Sequence, residues 1–247
     1  MKLTIVGSGD AFGSGGRMQT CFHVAAAEDA FLIDCGATSL IGMQRLGIDP
    51  NPVTTIFITH LHGDHFAGLV WFVIHAHYAA KRTAPLTIAG PAGIAQRFAT
   101  AAEALFPGTT KTERRFEIRF LEYEQGVPLQ VGSVRVTPFE VSHPSGAPPY
   151  ALRFEVDGKV VSFSGDTEWV EALVTAAHGA DLFISECFGF DEKVGFHLTW
   201  REIEKNLDRL GAKRVLLTHM NEEMLARRAE VCDPRVLLAD DGMTIDL

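Results

Sequence analysis

The sequence predicts a mixed α and β chain, and its strand-rich halves with interspersed helices fit two sheets packed face to face with helices outside. Three observations carry that expectation. Short β-rich runs alternate with helical stretches along all 247 residues. Two of the runs, Thr55-Ile56-Phe57-Ile58-Thr59-His60 and Arg214-Val215-Leu216-Leu217-Thr218-His219, read alike and both end Thr-His, consistent with a duplicated sheet unit. With 47% hydrophobic residues the chain can bury one substantial core, so a single domain over residues 1–247 is expected.

In chain order, Leu3–Val6, Cys21–Ala25 and Ala30–Ile33 read as opening strands. Between the first two, the loop from Gly7 to Gly16 is no dinucleotide fingerprint, since no strand–turn–helix unit frames it. Its glycines let the backbone pass close to a site. Thr38–Leu46 is predicted helical, because Gly47 follows it and Pro50 and Pro52 bar continuation. Val53–Thr59 is an apolar strand that stops abruptly. Ala67–Ala80 reads as a helix, Leu86–Ala89 as a strand and Pro91–Ala104 as another helix. Phe116–Leu121, Val134–Phe139, Leu152–Val156, Val160–Phe163, Asp181–Ser185 and Arg214–Thr218 follow as strands. Thr199–Leu210 is amphipathic with Gly211 as its stop, and Met224–Val231 is a late helix.

The chemistry sits where the fourth strand ends. His60-Leu61-His62-Gly63-Asp64-His65 places three imidazoles and a carboxylate within six positions, a set that suits zinc, with manganese or iron as alternatives. One cluster cannot fill two metal sites. Three further strand-like runs each deliver one candidate at their C-terminal lip: His143, Asp166 and His219. Singly each is weak, because a lone histidine is more often structural. Together they repeat one design, loops carrying function over a rigid scaffold.

This order of Asp34, HxHxDH, a single His143, Gly165-Asp166 and His219 resembles the metallo-β-lactamase-fold hydrolases. The resemblance runs from about Thr4 to His219. It implies an α+β architecture, a four-layer αββα sandwich. It also implies a dinuclear site: His60, His62 and His143 on the first metal, Asp64, His65 and His219 on the second, Asp166 bridging. Asp34 would orient the site through hydrogen bonds. The opening Ile5–Arg17 loop, His143-Pro144 with Tyr150–Phe154, and Glu186 with His197-Leu198-Thr199 are similar to the ribonuclease Z-like branch. There a glutamate and a His-X-Thr histidine act together near the scissile phosphate. The departures are that only residues 144–165 separate His143 from Asp166, where tRNA-processing enzymes usually carry a long tRNA-gripping arm, and that Ser185 stands where they often have histidine.

The expected function is therefore hydrolysis of a small phosphodiester, such as a cyclic nucleotide, by a hydroxide bridging two divalent cations, zinc first. Asp64, Glu186 and His197 are the expected catalytic residues, with His197 protonating the leaving alkoxide. Arylsulfatase and lactone or thioester hydrolysis on the same metals are alternatives; tRNA 3′-processing and a non-hydrolytic metal-binding role rank below them. An anionic small-molecule ester is the expected partner. The net charge of −9 argues against broad nucleic-acid affinity, and a homodimer is expected by analogy with the fold. Lys81-Arg82 and Lys111–Arg115 read as solvated faces, with flanking a pocket to draw in an anion as the alternative. Cys21, Cys35, Cys187 and Cys232 show no CxxC spacing and read as buried free thiols, with Cys35 or Cys187 as a soft ligand the alternative. The first residues hold no signal-peptide h-region and no apolar run spans a membrane, which predicts the cytoplasm. His75 and His77 lie two apart on a helix and cannot face one way, and His23 is expected to pack. Phe66, Trp71, Phe188, Phe190 and Phe196 either wall a substrate pocket or fill the core.

Overall fold

The computed structural model describes residues 1–247. Its strands are β1 (Lys2–Gly7), β2 (Cys21–Ala25), β3 (Ala30–Ile33), β4 (Val53–Phe57), β5 (Leu86–Gly90), β6 (Ile118–Glu122) and β7 (Leu129–Val131). They continue with β8 (Val134–Glu140), β9 (Tyr150–Val156), β10 (Lys159–Phe163), β11 (Leu182–Glu186), β12 (Val215–Thr218), β13 (Val236–Leu238) and β14 (Thr244–Asp246). The helices are α1 (Ser39–Arg45), α2 (Gly63–Phe66), α3 (Gly68–Tyr78), α4 (Ile94–Leu105), α5 (Ala172–Ala177), α6 (Trp200–Leu210) and α7 (Glu222–Arg227).

Two seven-stranded sheets form, ordered β14-β1-β2-β3-β4-β5-β6 and β13-β12-β11-β10-β9-β8-β7. Each has three antiparallel pairings followed by three parallel ones: β14 to β3 then β3 to β6 in one, β7 to β10 then β10 to β13 in the other. The duplication is real at the level of hydrogen bonding, but the Thr-His echo does not mark it. By sheet position β4 matches β11, whereas the two Thr-His strands are β4 and β12. The repeated dipeptide reflects a shared task at strand ends.

Three cores make four layers. Between the sheets, Phe22, Phe31, Phe57, Phe154 and Phe163 are buried and meet edge-on or tilted, with ring centroids 5.2–5.6 Å apart. A second core lies between the first sheet and α1, α3 and α4, and a third between the second sheet and α5, α6 and α7. The fold is thus the αββα sandwich of the metallo-β-lactamase class. The central parallel strands β4, β11 and β12 are buried nearly throughout because both their faces are covered, which is why they read as continuous apolar runs.

Several expectations shift. The helix expected from Ala67 is preceded by a separate turn, α2, inside the metal motif itself. The helix expected from Pro91 starts at Ile94, because Gly93 sits at φ 82° and breaks the run. Helix α7 ends at Arg227, where a 3-10 turn takes over. Arg82 is no solvated face: it is buried, and its guanidinium donates to the carbonyls of Asn51, Ala84 and Pro85 at 2.6–2.7 Å. Cys21, Cys35 and Cys187 are buried as expected, but Cys232 is exposed. Phe66 and Phe190 belong to the outer cores, and half-buried Trp71 packs against the first of them. No helix is long and apolar enough to cross a membrane.

Candidate metal centre

The site lies where strands from both sheets end on one edge. Asp34 follows β3, His60 follows β4, Asp166 follows β10 and His219 follows β12. His143 comes three residues after β8. At three of these exits the chain turns through the left-handed region: Asp34 (φ 57°), Gly165 (φ 59°) and His219 (φ 58°). Non-glycine residues rarely adopt that conformation, and it is strain of the kind that clusters at functional sites. At Gly165 a side chain is also excluded by space, since a Cβ would stand 2.9 Å from the Tyr150 carbonyl and 3.1 Å from Thr59 Cβ.

The seven residues singled out as ligands converge in two groups. His60, His62 and His143 form one, Asp64, His65, Asp166 and His219 the other, with donor atoms in each group within 4.8 Å of one another. His62 Nδ1 and His143 Nε2 point at each other from 3.0 Å. The Asp166 carboxylate stands between the groups. Its Oδ2 is 3.8 Å from His60 Nε2, 3.9 Å from His143 Nε2 and 3.4 Å from His219 Nε2, while Oδ1 is 3.2 Å from His65 Nε2. His60 Nε2, His65 Nε2 and Asp166 Oδ1 are buried without a hydrogen-bond partner. Buried polar atoms are normally satisfied, so converging orphan lone pairs fit divalent cations.

Three of the five imidazoles are aimed by their other nitrogen, whereas His219 Nδ1 is buried without a partner. His65 Nδ1 lies 2.6 Å from Asp34 Oδ2, His60 Nδ1 3.1 Å from Thr59 Oγ1, and His143 Nδ1 3.1 Å from the carbonyl of Phe196. Asp34 is itself held by the Thr59 N–H and hydroxyl at 2.7 and 2.8 Å. Thr59 is a member of this network that sequence reasoning passed over as the end of a strand.

The electrostatics match the packing. Burial would lower the His65 and His219 pKa values, but facing carboxylates dominate: Asp166, Asp64 and Asp34 lift His65 well above its usual range, and Asp166 and Asp64 raise His219 to about 9. Burial penalises ionised Asp166, yet His219 and His65 hold it well below the usual carboxylate range. At His60 the Asp166 charge does not compensate: burial, reinforced by His65, holds it well below its usual range, in the neutral form a metal requires.

Glu186 and His197 are also brought together. Glu186 ends β11 fully buried, which rules out a solvated loop, and its Oε1 accepts from the Thr167 N–H at 2.6 Å. His197 Nδ1 lies 3.1 and 3.2 Å from the two carboxylate oxygens. The His197 ring stacks on Phe188 at 4.7 Å and lies 5.0 Å from His143 and 5.7 Å from His219. Burial would depress His197, but hydrogen bonding to Glu186 and its charge raise it. Two residues on, Thr199 caps α6 through a full capping box with Glu202, so this histidine is placed by a rigid helix start.

The groups open into a cavity of about 230 Å³ lined by His62, Asp64, His143, Asp166, His197 and His219, with Ala11, Phe12, Phe188 and Val194 at its walls. Of the aromatics proposed as walls, Phe188 lines it. Phe12 and Val194 were not foreseen, because a lone aromatic in a glycine-rich loop has no periodic signal. His75 and His77 on α3 and His23 on β2 are half-buried and outside the donor groups.

A family model described as anti-Pycsar protein Apyc1 matches residues 1–236. The chain belongs to that family. Among individual proteins, the ribonuclease Z of Methanothermobacter thermautotrophicus is 28% identical over an alignment spanning 100% of this chain and 97% of its own. That alignment runs to 308 positions against 247 residues here, so the relative carries at least 61 residues with no counterpart. The structure of human tRNase Z, short form, superposes with a TM-score of 0.81 at 24% identity, covering 100% of this chain and 99% of that one. The metallo-beta-lactamase fold protein YhfI of Bacillus subtilis superposes at 0.79 and 20% identity, with 99% of each chain covered. The Apyc1 family member described here is thus a metal-dependent hydrolase of the metallo-β-lactamase fold, in its ribonuclease Z-like branch.

Proposed function

We propose that this chain hydrolyses a small phosphodiester, such as a cyclic nucleotide, at a centre of two divalent cations. His60, His62 and His143 would hold one, Asp64, His65 and His219 the other, with Asp166 shared. The reading is carried by one observation: His197, pinned through Nδ1 by buried Glu186, lines the cavity that holds the donors.

When bound, two such cations supply Lewis acidity and an activated water at neutral pH. The chain's own residues do the rest. Glu186 accepts the Nδ1–H of His197, and its charge favours the imidazolium, which carries a proton on Nε2 as well. Nε2 then gives a proton to the ester oxygen as its bond to phosphorus breaks, while water supplies the new P–O bond; the products are a phosphomonoester and an alcohol. Asp34 and Thr59 keep His65 aimed. Phe188 covers one face of His197 and limits water there.

Relatives bearing the ribonuclease Z name favour a second reading, RNA cleavage. Against it stand the net charge of −9 and the short connection from His143 to Asp166, filled by the β9–β10 hairpin alone. The hairpin turn is tight, with both Asp157 (φ 53°) and Gly158 (φ 69°) in the left-handed region.

The test is the chelator-sensitive rate of the zinc- or manganese-loaded protein on bis(p-nitrophenyl) phosphate, p-nitrophenyl sulfate, a simple lactone and a tRNA precursor. Preference for the phosphodiester is expected; turnover confined to the sulfate, the lactone or the precursor overturns the substrate class. His197→Ala is expected to keep its metals and lose roughly 10²–10⁴ in turnover, least for good leaving groups. Equal loss on good and poor leaving groups removes the proton-donor role.

A further inference from the structure

Phe12 has the most exposed large apolar side chain of the molecule, at 84%, and it stands on the rim of the donor cavity. Its loop is braced rather than slack. The Phe12 N–H donates to Asp10 Oδ1 at 3.1 Å, and the Ala11 carbonyl accepts from Gln19 Nε2 at 3.1 Å. Asp10 is fully buried and also receives the N–H and hydroxyl of Ser14 at 2.9 and 2.7 Å. Further along, Arg17 ties the loop to Asp240 and to the carbonyl of Ala239. The ring is therefore held in water by a scaffold built around it.

Val194, 40% exposed, and Phe188 line the same mouth from the loop that carries His197. The cavity is amphipathic, with carboxylates and imidazoles at the floor and apolar walls above. A rigid exposed aromatic gains burial only when something apolar arrives, and an aromatic ring gains most from another ring.

We propose that Phe12, with Val194, is a specificity-determining wall for a flat aromatic or heteroaromatic group carried on a phosphate anchored at the floor. The proposal rests on the phosphodiester reading above and adds which residues would recognise the organic part of the substrate. The rival occupant of Phe12 is a second copy of this chain.

The experiment is isothermal titration of the metal-loaded protein with phenylphosphonate and with methylphosphonate, for wild type, Phe12→Ala and Phe12→Trp, with sedimentation of each. Wild type is expected to prefer the phenyl compound by about tenfold. Phe12→Ala should bind both alike, with its methylphosphonate affinity unchanged, and Phe12→Trp should retain the preference. Absence of preference in wild type, its survival in Phe12→Ala, or failure to bind either phosphonate overturns the proposal. A lower sedimenting mass for Phe12→Ala also overturns it and gives the wall to a second copy. Failure of the parent reading is distinguishable: bis(p-nitrophenyl) phosphate stays intact while the phenyl preference persists.

Discussion

A single carboxylate shows how far one residue reaches. Asp34 touches no part of the cavity, yet it fixes His65 at 2.6 Å while Thr59 holds it from the other side. Asp34→Asn is expected to weaken metal affinity by roughly 10–100-fold, read by competition against a chelating dye. Asp166→Ala removes the carboxylate between the two donor groups, and metal analysis should find fewer than two cations per chain. Such residues were legible because histidines and aspartates at this spacing have few structural excuses. Phe12 was not, since what distinguishes it is its exposure at a cavity mouth, which no local pattern encodes.

Among elements, the hairpins hold the sheets in register. Asp29, in the β2–β3 turn, accepts from the Ser133 N–H and hydroxyl at 2.7 and 2.6 Å and from the Thr54 hydroxyl at 3.2 Å. Burial alone would raise its pKa, but these hydrogen bonds, Ser133's foremost, lower it. A lowered folded value means stability that is present above the unfolded value of about 3.9 and lost as pH falls through the folded one. Asp29→Asn is therefore expected to cost roughly 1 kcal/mol or less near neutrality, the group being only partly buried, and to converge on wild type in acid unfolding curves. Thr199→Ala removes the capping box of α6 and should cost about 1 kcal/mol in urea unfolding. The helix stop at Gly211 was foreseen from glycine chemistry, whereas the start after Gly93 was not, and β7, β13 and β14, three residues each at sheet edges, carry too short a pattern to be foreseen.

At the scale of the whole molecule, the sheet interface and the metal centre support each other. Phe57 packs edge-on against Phe31 of its own sheet and Phe154 of the other, so Phe57→Ala should cost about 3–5 kcal/mol in denaturant unfolding. The strand ends that present the donors would loosen with it. Buried aspartates and histidines crowd the centre, and on the proposed reading cations would bind only the folded arrangement. Adding zinc at about 100 times its dissociation constant should stabilise the fold by about 2.7 kcal/mol, seen as a rise in melting temperature that a chelator reverses.

By itself the sequence determined the candidate donor residues, the strand runs that end at them, the helix stop at Gly211 and the mixed α and β class. Those features live in residue type and short-range spacing, and the chemistry of imidazole, carboxylate and glycine acts within a few positions. Tertiary structure alone decided the rest. It gave β4 the sheet position of β11 rather than of β12, buried Arg82 under three carbonyls, and brought Phe196, 53 residues on, to aim His143. It also stood Phe12 at the mouth of the cavity. Each of these depends on which distant surfaces meet, and that is set by how two sheets close over a shared aromatic core.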